Sequence, residues 1–459
     1  MMIHEMDEMD EMDTPPPDPA EPERPVQIIV TDDLDRSRLT VFFRLLLAIP
    51  HLVVLFLWGL AAVAVAVVMW LAVVFEGRAP RSLHGFVASY VRYSAHVGAY
   101  LALLANPYPA FGGSDPYPVD VTVAAPERQN RWSAAFRLIL ALPALALATT
   151  LAGGPMQSAG SFDSESTIAL MSGGGVLVLI GVLGWFACLV RGAMPRGLRD
   201  LGVFAVGYSA QTSAYLLLLT DRYPTSDPGL AIDPAPELPR HPVRIEISDG
   251  LERSRLTVLL RFPLSVPHFV WLALWSVPAL LAAFIAWVLT LTTGRVPRPL
   301  HRFLAAFTRY ASHVTLFFFL VGGPFPGFVG AAGSYPVAIE IDGPLSQPRL
   351  VTLFRGLLAL PAFLLSAALG GVLVVVGFLG FWHAIVTGRM PEGLRNLGAA
   401  CVRYSAQLNA YVFLVTPRYP YASPALVDLS PPDEEEALVP AGLLPWDREG
   451  GAEAEAESF

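Results

Sequence analysis

The sequence predicts a mainly α-helical, polytopic membrane protein built from four repeated units arranged as two tandem A-B halves. Three observations carry this. The 459 residues are 54% hydrophobic and only 15% charged, whereas a soluble chain carries nearer a quarter charged residues. Long apolar segments, such as Leu39 to Phe75, recur at regular intervals. The same punctuation surrounds each of them, in register.

Each unit opens with a short period-2 run, at Pro25-Val26, Pro118-Val119, Pro242-Val243 and Pro336-Val337. Val26, Ile28 and Val30 share one face, and Val243, Ile245 and Ile247 another, as in half-buried strands. Arginines follow at Arg44, Arg137, Arg261 and Arg355, with Pro50, Pro143, Pro267 and Pro361 six residues on. Turns come next, at Gly77-Arg78-Ala79-Pro80, Gly192 to Pro195, Gly294 to Pro297 and Gly388 to Pro391. Tyr93, Tyr208, Tyr310 and Tyr404 then mark a second, amphipathic helix. The units span 25–111, 112–226, 240–328 and 335–423.

Units 1 and 3 superimpose at a constant offset of 217 residues. Units 2 and 4 hold an offset of 218 to the middle of the apolar segment and then fall to 196. Unit 2 therefore carries a 22-residue polar insert, near Gly153 to Gly175, with Asp163 and Glu165. A lipid-facing Asp- and Glu-bearing loop at the bilayer midplane is excluded. The expected solution is a break at a membrane surface, also marked by Gly59, Ser276 to Pro278 and Gly370-Gly371. Each apolar segment then reads as a helical hairpin, with a second arm of about 16 residues that is short against the roughly 20 needed to cross the core. The arginines at both ends of the segment, Arg36, Arg38, Arg44, Arg78 and Arg81 in unit 1, place those ends in the cytoplasm by the positive-inside rule. The insert would face outward, and the four strands would pair into one sheet beneath the membrane.

The tails differ from the body. Of 39 acidic and 30 basic residues, 19 acidic and one basic lie in residues 1–23 and 428–459, so the body carries about +9. Residues 1–24 and 430–459 are expected to be disordered, being too polar to offset the entropy of ordering. Every basic residue is arginine. No signal-peptide pattern opens the chain, so insertion is expected to depend on the first apolar segment. Cys188 and Cys401 lie in apolar helical segments and suggest neither a disulfide nor a metal site.

Few residues carry candidate chemistry. His51, His84 and His96, matched by His268, His301 and His313, recur in the A units, but their spacing matches no metal site. They are expected to be hydrogen-bonding or lipid-facing residues. The candidate lipid-headgroup or polar-groove residues are Arg78, Arg81, Arg295, Arg298 and Arg389 at the turns, and Arg92, His96, Arg309, His313, Arg403 and Gln407 on the stripe of the second helix. Clustered arginines at helix ends suit anionic phospholipids and also serve as plain interfacial anchors. Unit 2 lacks the turn arginine (Ala193) and the stripe arginine (Gly207). Unit 4 has Glu392 where the other turns have a second arginine. Carboxylates are nearly absent from the apolar segments, which disfavours ion-coupled transport. Nucleotide-binding and hydrolase motifs are missing, no cofactor is implied, and no basic face suits nucleic acid.

The string Leu-x-x-Ile-Pro-His, then Phe75-Glu76-Gly77-Arg78-x-Pro-Arg-x-Leu, Arg92-Tyr93 and Tyr108-Pro109, resembles the bacterial membrane family labelled domain of unknown function 4389. Four copies cover about Val26 to Pro420. The resemblance implies a multi-pass protein of the bacterial inner membrane and brings no activity or catalytic residues. The expected function is a non-enzymatic membrane scaffold or regulator, meeting cytoplasmic partners through its strands and cytoplasmic tails. A transporter or channel built from internal repeats and a membrane enzyme are the alternatives.

Overall fold

The four Pro-Val runs form the strands their alternation predicts: β1 (Val26–Val30), β2 (Val119–Val123), β3 (Val243–Ile247) and β4 (Val337–Ile341). The computed structural model describes residues 25–113, 115–153, 175–230, 232 and 241–426. The acidic tails and the body of the unit 2 insert lie outside the described residues. Unit 1 continues with α1 (Arg38–Glu76) and α2 (Arg81–Leu101). Unit 2 has α3 (Arg131–Ala135), α4 (Arg137–Leu140), α5 (Leu142–Ala152), α6 (Gly175–Arg191) and α7 (Arg196–Leu216). Unit 3 has α8 (Arg255–Leu259), α9 (Arg261–Thr293) and α10 (Arg298–Phe318). Unit 4 has α11 (Arg349–Leu353), α12 (Arg355–Thr387) and α13 (Glu392–Val412). Three helices among the described residues are long and apolar enough to cross a membrane, in units 1, 3 and 4.

The hairpin expected inside each apolar segment does not form. α1 runs through Pro50 and Gly59, α9 through Pro278, and α12 through Gly370 and Gly371, each as one continuous helix. A glycine inside a helix costs only about 1 kcal/mol, and tertiary packing covers that. Gly59 serves close approach rather than a turn: a Cβ there would come within 3.1 Å of the Tyr90 hydroxyl. The hairpin lies one level up. Each long helix ends on a left-handed glycine, Gly77, Gly192, Gly294 or Gly388, and the second helix returns antiparallel to it. In unit 2, a Cβ on Gly175 would strike the Gly153 backbone. The chain thus leaves and re-enters the long helix at one point, and α5 and α6 together occupy the place that α12 fills continuously.

The strands pair between units, antiparallel, with Ile28 opposite Val121 and Ile245 opposite Ile339. They make two separate two-stranded sheets among the described residues, not the single sheet expected. Pairing is fixed within each half, while the halves meet through the long helices of units 2 and 4. The start of each long helix docks on the turn that ends its partner's, through the backbone pairs Asp35–Ala193, Arg78–Arg128, Glu252–Arg389 and Arg295–Ser346. A and B units are therefore antiparallel, related by a pseudo-two-fold axis through the middle of each sheet. Arginines finish the joints. Arg38 donates to the Val190 carbonyl, Arg255 to Val386 and Arg349 to Thr292, placing a cation at the negative end of a helix.

Three layers result. The long helices lie side by side in the order unit 1, unit 2, unit 4, unit 3. The second helices pack on them and cross in pairs, α2 on α7 and α10 on α13. The sheets cover the second helices: Ile28 packs on Gly207, where a Cβ would approach it to 3.3 Å. Val26, Ile28, Val121, Ile245 and Ile339 are buried, while Thr122 and Glu246 are exposed. A buried strand face of this kind fixes register.

Candidate functional site

The most regular polar feature is one the sequence marked without revealing its role. Arg44, Arg137, Arg261 and Arg355 are buried, although Arg44 read as a membrane-flanking charge. Each reaches the frayed carbonyl end of its own unit's second helix. Arg44 donates to the carbonyls of Tyr100, Ala105 and Asn106 at 2.9–3.1 Å. Arg261 donates to Gly322 and Gly323, Arg355 to Tyr411 and Thr416, and Arg137 to Thr220. Each guanidinium also stacks on an aromatic ring at 4.1–4.6 Å: Tyr100, Tyr215, Phe317 or Tyr411. These helices end on a left-handed leucine, Leu103, Leu218, Leu320 or Leu414. The carbonyl of that leucine takes a further donor, Arg36 or Arg253 in the A units and Gln129 or Gln347 in the B units. A helix C-terminus has four unpaired carbonyls, and here buried cations satisfy them. The alternation of Arg and Gln ahead of each long helix was the available signal.

The stripe residues separate by unit. In unit 1, Arg92 makes a two-pronged contact with Asp120 of β2, and His96 Nε2 lies 2.8 Å from the same carboxylate. His96 also stacks on Tyr117. Burial pushes the Asp120 carboxyl up, but the hydrogen bonds and charges of Arg92 and His96 reverse that and hold it well below the usual carboxylate range. Unit 3 presents Arg309 and His313 in the same places, but β4 carries Ala338 where β2 carries Asp120. Arg309 donates instead to the Ile339 and Gly330 carbonyls. His313 stacks on Tyr335 and its Nε2 lacks a hydrogen-bond partner. Burial, and then the charge of Arg309, push that imidazole down to about 4. In unit 4, Arg403 is buried against the Ser423 and Ala425 carbonyls. Gln407 bridges the Val243 carbonyl and the Tyr421 amide.

The remaining A-unit histidines go to different elements. His51 and His268 meet the Tyr93 and Tyr310 hydroxyls at 2.6 and 2.8 Å. His84 and His301 meet the carbonyls of Leu219 and Val415 across the A-B boundary. The histidines of each triplet are therefore spread over three sites. Arg78, Arg81, Arg295, Arg298 and Arg389 are exposed at the helix ends, away from the stripe, so the candidate residues form two sets and not one groove. Arg389 faces Glu252 at 3.8 Å, both largely exposed, a pair worth little in water. Cys188 and Cys401 are free and buried.

Chemically, the Arg92–Asp120–His96 cluster is a saturated ion group. Its carboxylate accepts from both partners, which ties a strand to a helix. Among curated proteins and among solved structures, nothing matches this chain. The family model described as Domain of unknown function (DUF4389) matches residues 38–112, 167–226, 255–326 and 349–423, more than half of the sequence and one segment per unit. Each segment takes in the turn glycine, the second helix and its left-handed leucine, so the chain belongs to this family, in four tandem copies.

Proposed function

We propose that the protein is a non-enzymatic scaffold or regulator of the bacterial cell membrane, with its apolar helices in lipid and both tails on the cytoplasmic side. One observation supports this most. The buried arginines of the long helices, which recur in all four units, are consumed in closing helix ends. The outer faces of the sheets, with Gln27, Thr122 and Glu246, and the tails are then the surfaces for a cytoplasmic protein partner. The described residues begin at β1, in the first sheet, and end beside Ala425, which is held by Arg403, whose helix α13 packs on β3. The exposed arginines at the helix ends suit anionic phospholipids. With one long helix per unit, the number of crossings depends on how those helices lie in the bilayer.

A transporter is the second reading, favoured by the antiparallel A-B pairing, since inverted repeats are a common transporter plan. Reconstitution decides between them. Liposomes containing the full chain should release entrapped ions and small solutes no faster than protein-free liposomes. A protein-dependent flux that saturates with solute would replace the scaffold by a transporter.

A further inference from the structure

The layered arrangement makes the surface of the molecule unequal on its two sides. Large exposed apolar side chains crowd onto the long helices: in unit 1 they run from Leu39 and Phe42 through Leu60 to Phe75. The inner helices keep a single stripe, Val178, Val182, Phe186 and Val190 on α6, as expected for helices with neighbours on both sides and a layer behind. The opposite side carries the sheets, with Thr122 and Glu246 exposed and Arg244 and Asp342 paired at its surface.

Three observations bear on how such a body meets a membrane. First, the exposed apolar face of α1 runs the length of a 39-residue helix, about 58 Å at 1.5 Å per residue. A spanning helix of that length would have to tilt by about 60° to fit a ~30 Å core, beyond the range of about 0–40° that tilted helices occupy. Second, the sheets sit beside the middle of the helices and not at their ends. His51, well inside α1, bonds Tyr93 of α2, while the adjacent Arg92 bonds Asp120 of β2. Spanning long helices would carry that sheet, with its exposed Thr122, to the depth of the acyl chains, where polar backbone and charge are costly. Third, exposed arginines stand at both ends of the long helices, Arg38 and Arg78 in unit 1 and Arg255 and Arg295 in unit 3. One helix with basic residues at both ends satisfies the positive-inside rule only if both ends lie on one side.

We infer that the protein is monotopic: its four long helices lie in the plane of the membrane, with their apolar face sunk into the cytoplasmic leaflet, the helix-end arginines at the level of anionic headgroups, and the two sheets facing the cytoplasm. This inference rests on the membrane reading above and fixes its geometry. The pseudo-two-fold axes then run along the membrane normal, so A and B units meet the leaflet alike although their helices are antiparallel. Interfacial helices bury an apolar face about 5–10 Å deep and favour arginine on the polar side. Tyr108 and Phe111 beside His51, and Phe325 and Phe328 beside His268, expose further aromatic surface of the kind interfacial elements carry.

The test places single cysteines at the two ends of one long helix, Ser37→Cys and Glu76→Cys, in the full-length chain. The natural cysteines are buried and provide the blank. An impermeant maleimide is applied to intact spheroplasts and to inside-out vesicles. Both positions should label in inside-out vesicles only. Labelling of the two from opposite sides would overturn the inference while leaving a membrane protein that spans. If either variant fails to accumulate, Ser254→Cys and Thr293→Cys in unit 3 repeat the measurement. Extraction of the vesicles with alkaline carbonate separates the other failure: a chain released without detergent, and running as a dimer, would assign the apolar face to a second copy and remove the membrane reading itself.

Discussion

Units 1 and 3 carry the same arginine and histidine on the second helix, four residues apart, and dispose of them differently. In unit 1, Asp120 gathers Arg92 and His96 into one ion group. In unit 3, Ala338 stands in its place, Arg309 turns to carbonyls, and His313 is buried with an empty Nε2. The long-helix arginines, by contrast, do the same thing in all four units. What recurs everywhere closes helix ends and is a condition of the fold. What differs between halves is the tie between sheet and helix, and that is where the halves can be made to behave differently.

The largest effect should come from the sheet. Ile245 is buried opposite Ile339, and Arg244 beside it is partly exposed. Ile245→Asp puts a carboxylate into an apolar seam and should destabilise the chain by about 4 kcal/mol or more, whereas Arg244→Asp should stay within about 1 kcal/mol. Thermal unfolding in detergent reads both. Equal effects would mean that the sheet does not pack as described.

Next come the shared arginines. Arg44→Ala and Arg261→Ala each strand buried carbonyls, at about 1–3 kcal/mol for each group left unpaired. The two losses should be alike, near 3 kcal/mol, because the clamp is common to both halves. A large loss in one half alone would show that the repeated residue has acquired separate roles.

The unit 1 cluster should be worth less. Asp120→Asn removes a charge that is paired but partly exposed, so about 2 kcal/mol is expected. The reciprocal change, Ala338→Asp, places a carboxylate within reach of Arg309 and His313 and should stabilise the second half. A loss from Ala338→Asp as large as the loss from Asp120→Asn would mean that the unit 3 helix cannot supply the partners unit 1 does.

How much of this was legible in the sequence follows from which forces act locally. The strands were, because Pro-Val starts and period-2 alternation are local, and Val26, Ile28, Ile245 and Ile339 are buried as that alternation requires. Their pairing was not, because the partner of β1 is set by how whole units dock. The turns at Gly77, Gly192, Gly294 and Gly388 were legible as stops. Gly59 and Gly370-Gly371 read as stops too and are not, since a glycine facing Tyr90 serves close packing and leaves the helix intact. The polar insert does break a helix, but only where its own residues intervene. Arg44 misled for a related reason: a basic residue near the start of an apolar segment looks interfacial until the second helix folds back over it.

The smallest and most selective effect should be the response to acid. His313 is held below its ordinary value, at about 4, by burial and by Arg309, while an unfolded histidine titrates near 6.5. Between those values the unfolded chain binds the extra proton and the folded chain does not. Stability therefore falls as pH drops from about 6.5 towards 4, by no more than about 1.4 kcal/mol for each unit crossed. Asp120 works in a lower window. Its folded value is depressed, so its contribution is complete above the usual carboxylate range and is lost only as pH falls through and below about 4. The His313 loss should thus come at higher pH than the Asp120 loss. Gln211 and Gln407 occupy the histidine position in the B units, so His313→Gln is the natural control. It should make the profile shallower between pH 6.5 and 4, where His241, which burial also pushes down to about 4, still contributes, and leave the loss below pH 4 in place. A variant profile as steep as the parent's across the upper window would move the sensitivity to the other buried histidines, with His241 the next to replace.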